Sequence, residues 1–224
     1  MIGGAALGIW MDVDAGGLDD FNAWYRRQHL PERLSVPGFL RGRRYRATGD
    51  GPVYFTLYET VDAAVLSSTP YMERLNDPTD WTRRALPRIR RMVRNAYRRV
   101  AGSMPDRVAP HLLTVRIKPH SGRGPAVKRW LTEDAVGALR GVDGVAGVAV
   151  YESDGGGTSV VTEERRIVGG DVSGAPPFLA VCELDQAQAE GAARDFWQTK
   201  AGREAADVQL DGYRLMYGLA WLEP

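Results

Sequence analysis

Apolar and polar positions divide the chain into a short series of strands and helices. Leu7 to Val13 is an apolar run of the length of a buried strand. Asp14 to Gly17 turns the chain, and Asp19 or a neighbour is placed to cap the helix that follows. In that helix Phe21, Tyr25, His29 and Arg33 recur every fourth residue, which sets them on one face. Pro31 lacks an amide donor and disfavours the helical region for Leu30, so a kink or restart is expected just after His29. Val36-Pro37-Gly38-Phe39 reads as a tight turn. Leu40 to Ala47 and Val53 to Glu59 read as strands around the hairpin signal Thr48-Gly49-Asp50-Gly51-Pro52. Helical segments are expected from Asp62 to Leu86, interrupted at Pro70 and Pro78, then a last strand near Asn95 to Val100.

Strand, helix, strand, strand, helix, strand is the ferredoxin-like order, and the second half writes it again. A shift of 106 places Trp24 on Trp130, Val36 on Val142, Gly38 on Gly144 and Tyr45 on Tyr151. A shift of 124 places Glu59 on Glu183, and one of 116 places Trp81 on Trp197 and Tyr97 on Tyr213. The expected fold is therefore α+β: tandem ferredoxin-like βαββαβ repeats, residues 1–104 and 105–224, whose sheets join in a pseudo-symmetric barrel. Gly102 to Pro110 reads as the linker. Ser153 to Pro177 reads as a glycine-rich insertion, carrying a small β-ribbon around Val160 to Val168 or a flap. Polar residues of the first half become apolar in the second: Tyr25 faces Leu131, His29 faces Ala135, Arg33 faces Leu139 and Arg44 faces Val150. That asymmetry points to a single site, in the first half.

The run Trp24-Tyr25-x-x-x-His29-Leu30-Pro31, followed by Val36-Pro37-Gly38-Phe39 and a strand with Arg43-Arg44-Tyr45, resembles the EthD-like branch of the dimeric α/β-barrel superfamily. The resemblance covers about residues 5–101. It implies ferredoxin-like units paired into a barrel and a histidine at the place of His29. It leaves the reaction open, because the superfamily includes oxygenases, cyclases, isomerases, haem enzymes and proteins without known activity.

Charge narrows the partners. The 224 residues carry a net charge of only +1, which argues against a general nucleic-acid trap. Residues 1–108 have a net charge of +5 and residues 109–224 one of −4, which fits either complementary faces or an anionic ligand site in the first half. The Arg-rich run Arg83 to Arg99 is split by Pro87 and has few aromatics between its charges, so it reads as a solvated or inter-repeat face. One cysteine, Cys182 in an apolar strand, allows no internal disulfide and suits a reducing cytoplasm. Met1 to Met11 reads as neither a signal peptide nor a membrane span. His29, His111 and His120 have no metal-ligand spacing, no haem ligand stands out, and no dinucleotide motif follows a strand. No cofactor and no metal are expected. The expected partner is a small molecule, bound by a monomer or homodimer.

His29 is the candidate acid or base, since imidazole exchanges protons near neutrality, and Tyr25 stands one turn away to assist. Alternatively, His29 bonds a carbonyl freed by the Pro31 kink. Arg33 and Arg44 suit a carboxylate, phenolate or enolate, or else pair with Glu32, Glu59 or the acidic second half. Tyr58 and Glu59 are adjacent on a strand and face opposite ways. Trp10, Tyr45 and Trp81 wall a pocket or belong to the core. This equipment fits a cofactor-independent enzyme performing isomerisation, cyclisation or dehydration on an aromatic or polyketide-like molecule. A cofactor-independent monooxygenase and a non-catalytic binding protein are the alternatives.

Overall fold

The computed structural model describes residues 3–105, 107–155, 161–169 and 176–220. Its first half runs β1 (Ala5–Val13), α1 (Leu18–Trp24), a π-helical turn (Tyr25–His29), α2 (Leu30–Leu34), β2 (Phe39–Ala47) and β3 (Tyr54–Thr60). A 3-10 turn (Ala63–Ser67), α3 (Thr69–Asn76), α4 (Asp80–Ala85), a second 3-10 turn (Leu86–Arg88) and β4 (Ile89–Ser103) complete it. The second half runs β5 (His111–Pro119), α5 (Gly124–Trp130), a π-helical turn (Leu131–Ala135), α6 (Val136–Arg140) and β6 (Val145–Ser153). It ends with α7 (Glu163–Val168), β7 (Phe178–Leu184), α8 (Ala189–Arg203) and β8 (Ala206–Ala220).

The eight strands close into an antiparallel barrel in the order β1-β3-β2-β8-β5-β7-β6-β4. Each half contributes four neighbouring strands, and the two seams are β2 with β8 and β4 with β6. The arrangement is a tandem ferredoxin-like fold with pseudo-twofold symmetry. The offsets seen in the sequence recur in the folded chain. β5 begins 106 residues after β1, β7 begins 124 after β3, and Tyr97 and Tyr213 stand opposite Ala6 and Leu112 on equivalent strands.

Strand alternation sorts side chains into three cores. Trp10, Tyr45, Phe55, Tyr97, Tyr151 and Tyr213 fill the barrel interior. Residues of opposite parity pack outward against the helices of their own half, around Phe21 and Trp24 in the first and around Trp130 and Trp197 in the second.

Local expectations are refined or corrected at several points. The first helix is capped by Gly17, not by Asp19, which lies in its first turn. Gly17 has φ of 79°, a left-handed conformation that glycine adopts without strain. The helix does restart at Leu30, but Pro31 is not the whole cause. The same π-helical turn recurs at Leu131–Ala135, where Gly137 stands in the place of Pro31. In the first copy the Leu30 amide donates to the Tyr25 carbonyl, five residues back. The expected interruption at Pro70 falls at Ser68, which ends the 3-10 turn and caps α3, with Pro70 in the first turn of α3. Finally, the insertion forms α7 where a β-ribbon was expected; Val160 lies outside the described residues. Thr162 caps α7 by accepting from the Arg165 amide at 3.3 Å, with Glu163 and Glu164 in the first turn and Arg165 and Arg166 in the last, as the helix dipole favours. The last strand of the first half is also longer than expected, spanning Ile89–Ser103.

Candidate functional site

A cavity lies between the outer face of the first-half sheet and the helices that cover it. Leu7, Ile9 and Met11 of β1 form its floor, and Trp24, Tyr25, His29 and Arg33 line it from the helix. Tyr58 of β3, residues of α3 and β4, and Thr162 to Val168 of the insertion close the remaining sides. The space measures about 90 Å³.

The π-helical turn sets the aromatic geometry. It brings the His29 ring to 4.5 Å from the Trp24 ring and 4.8 Å from the Tyr25 ring, centroid to centroid. His29 is buried, and its Nδ1 has no hydrogen-bond partner. Burial, then the positive charges of Arg33 and Arg44, hold its pKa well below the usual histidine value. The imidazole is therefore neutral at pH 7, which is the form that accepts a proton. The alternative of a histidine bonded to a freed carbonyl has no counterpart at Nδ1.

Beside His29 a chain of hydroxyls leads away from the cavity. Tyr58 Oη donates to Tyr25 Oη at 3.3 Å, and Tyr25 Oη donates to Thr56 Oγ1 at 3.0 Å. Arg44 Nη1 also donates to Thr56 Oγ1, at 3.3 Å. Burial and the neighbouring Tyr25 push the Tyr58 phenol well above its ordinary pKa, so Tyr58 keeps its proton and acts as a donor. Arg44 is wholly buried between two rings, its Cζ 3.6 Å from the Tyr25 centroid and 4.2 Å from that of Tyr54. Its Nε and Nη2 have no partner, and no carboxylate among the described residues bridges it. The stacked phenol faces compensate part of that cost. Arg44 thus stands behind Tyr25 as a fixed positive charge, outside the cavity wall itself.

Arg33 brings the second half into the site. Its Nη2 pairs with Glu164 Oε1 of α7, while its Nη1 is buried without a partner. Burial opposes the Arg33 charge, but Glu164 together with the Tyr71 and Tyr58 hydroxyls outweighs it and keeps the guanidinium protonated. Burial pushes the Glu164 carboxyl up, and Arg33 offsets this only in part. Of the pairings considered for Arg33, the structure shows the one with the second half.

Three proposed pocket residues lie elsewhere. Trp10 and Tyr45 belong to the barrel interior, and Trp81 lies half-buried on α4 with its indole N–H donating to Asp20 Oδ1 at 3.2 Å. Glu59 does not meet Arg44. It faces into the barrel, where it accepts from Arg41 at 2.5 Å and Arg43 at 3.1 Å, and Arg43 also bridges to Glu183. Sequence reasoning missed Glu164, Thr56 and this buried cluster. The signal for α7 was present: a capping threonine, then two acids, then two arginines.

In the second half the equivalent positions are plain packing. Leu131, Ala135 and Leu139 are fully buried in the core around Trp197, and Val150 joins them. Replacing Leu131 or Leu139 with alanine is expected to cost about 2–5 kcal/mol of stability, as a buried cavity-forming change does. Chemical denaturation checks this, and a cost near zero would show that the second half is not tightly packed there. Burial pushes the Cys182 thiol, in the same core, up to about 12. Among the described residues no group of three His, Cys, Asp or Glu side chains is placed to hold a metal ion, and no helix is long and apolar enough to cross a membrane.

No protein-family model matches the sequence, and no curated protein matches it either. Solved structures do match in shape. An anthrone oxidase-like protein superposes with a TM-score of 0.62 at 11% identity, covering 96% of this chain and 92% of its own. A candidate monooxygenase from Fusobacterium nucleatum gives 0.62 at 8% identity, with 98% and 96% covered. A heme-binding protein from Thermus thermophilus gives 0.51 at 8% identity, with 97% and 92% covered. At such identities the likeness speaks for the fold alone. The chain folds as a dimeric α/β barrel of ferredoxin-like units, with both units supplied by one polypeptide.

Proposed function

We propose that the first-half cavity is the site of a cofactor-independent enzyme of the EthD-like kind, moving a proton on a small aromatic or polyketide-like molecule. The observation that carries this reading is the neutral, buried His29 beside the Tyr25–Tyr58 hydroxyl pair in a cavity whose floor is apolar. His29 takes the proton. Its low basicity means that the C–H or O–H it attacks must already be acidic, as in a ketone flanked by a ring or a second carbonyl. The anion that forms accepts from Arg33 Nη1, and from Tyr58 once its hydroxyl turns away from Tyr25, with the Arg44 charge behind Tyr25. In that step imidazolium and anion form together, so their attraction offsets the burial that disfavours each alone. Isomerisation, cyclisation and dehydration all begin this way.

Size limits the ligand. The open space, about 90 Å³, is below the ~150 Å³ dry cavity that holds benzene. Even one ring needs side chains to yield, and Met11, Met72 and Met92 supply soft walls for that. A haem does not fit this site. The space is far too small for the macrocycle, and the one histidine in the wall is packed against Trp24 and Tyr25. The purified protein is therefore expected to be colourless; a Soret band would overturn this.

The names of two structural neighbours favour a second reading, a cofactor-independent monooxygenase. It shares the first step, since an electron-rich anion is what dioxygen would meet. Proton NMR in deuterated buffer tests the shared step: with aromatic ketones such as 2-tetralone, the protein should speed exchange of the acidic C–H. An oxygen electrode then separates the two readings, because only the oxygenase consumes dioxygen. Tight binding without exchange would favour a non-catalytic binding protein.

A further inference from the structure

Arg33 is the guanidinium of the His29 helix that reaches the cavity wall, and its charge is already met within the chain. Glu164 Oε1 pairs with Nη2, and both side chains are almost closed off from water. The partner comes from the insertion of the other half, 131 residues away in sequence. A carboxylate entering the cavity would have to displace Glu164 from Arg33, or lie beside it against like charge where water screens little. An uncharged carbonyl or hydroxyl oxygen meets no such opposition. It is offered Arg33 Nη1, which is buried and lacks a partner. His29 adds no positive charge to draw an anion in, because it is neutral. Arg94, which donates to Tyr71 Oη at 3.1 Å, and Arg165 also border the cavity, each with partners of its own.

We propose that Glu164 is a specificity-determining residue: by occupying Arg33 it makes the cavity select uncharged ligands over anionic ones. The inference rests on the cavity being the ligand site, as proposed above. It accords with proton-transfer chemistry in which the ligand enters neutral and becomes an anion only after His29 takes its proton. The role is one of positioning and charge, not of catalysis.

Benzamide and benzoate test it, being close in shape and one charge apart. Ligand-observed NMR titration of the wild type is expected to show benzamide binding at least about tenfold tighter than benzoate, a difference of roughly 1.4 kcal/mol. In Glu164→Gln, benzoate should gain at least about tenfold while benzamide changes by less than about threefold. Adding Arg33→Gln to that variant should abolish the gain, since the freed guanidinium is its source. Equal affinities in the wild type would overturn the proposal without any variant, so it does not depend on the variant folding. Benzamide binding with no gain for benzoate in Glu164→Gln would overturn Glu164 as the selector and leave the cavity reading intact. Binding of neither probe to either protein would overturn the cavity reading, and this inference with it.

Discussion

Replacing His29 with glutamine is expected to slow proton transfer by at least about a hundredfold while leaving ligand affinity within about tenfold. Glutamine keeps a polar side chain in the wall beside Trp24 and Tyr25 but cannot take a proton. The expected loss belongs to the reaction, so it should appear in kcat rather than KM. The pH dependence has a definite sign. Burial and the two arginines lower the folded-state pKa of His29, so its base form persists as pH falls through about 6.5, the ordinary histidine value. Activity should therefore stay level through that range and decline only well below it. Stability follows the same linkage: the unfolded chain takes up the His29 proton first, so this group's contribution is complete above about 6.5 and is lost as pH falls towards its folded value. Equal turnover in variant and wild type would remove His29 from the mechanism.

Replacing Arg43 with alanine is expected to be the most damaging single change to the fold, costing about 3–5 kcal/mol at neutral pH. Arg43 is fully buried on β2 at a seam of the barrel, and it bridges Glu59 of its own half to Glu183 of the other. The two glutamates are equivalent under the 124-residue offset, yet the position 106 residues after Arg43 is Ala149. One guanidinium serves both carboxylates. Burial alone would push the Glu59 carboxyl up, but Arg43 and Arg41 outweigh it and hold it below the usual range. Without Arg43, Glu183 keeps, among the described residues, the Ala109 amide at 3.4 Å, and Glu59 keeps Arg41. The deficit should shrink as pH falls and the stranded carboxylates take up protons. Replacing Arg43, Glu59 and Glu183 together with apolar residues of similar volume should cost less than Arg43→Ala, because only Arg41, which also donates to the Pro105 carbonyl, then loses a carboxylate. Denaturation curves at pH 7 and pH 5 measure both effects, and a pH-independent deficit would show that lost packing, not stranded charge, is responsible.

The sequence made the element order readable because strand alternation, turn residues and the doubled Trp and Tyr positions all pointed the same way. The side-chain face of each strand was also readable. Tyr58 and Glu59 do point to opposite sides, one to the cavity and one to the barrel interior. Harder to see was which of the four arginines on β2 would face which way. A single-residue step along a strand exchanges the faces, so Arg44 went to the helices and Arg43 to the axis, where it took the Glu59 partner considered for Arg44. Glu164 was invisible for another reason. Its contact with Arg33 spans the two halves, and local pattern carries no record of a tertiary pairing that distant. The π-helical turn was anticipated as a break, yet its recurrence at Leu131–Ala135 without proline ties it to helix packing on the sheet as well as to Pro31.

The central claim is that the cavity on the first-half sheet, and not its second-half counterpart, receives the ligand. A crystal of the protein soaked with benzamide or 2-tetralone tests it most directly. The ligand is expected among Trp24, His29, Arg33 and Tyr58, with its oxygen within hydrogen-bond reach of Arg33 Nη1 or the Tyr58 hydroxyl. A ligand lodged instead against Ala135 and Trp197 in the second half, or in the barrel interior beside Tyr45, would contradict the account.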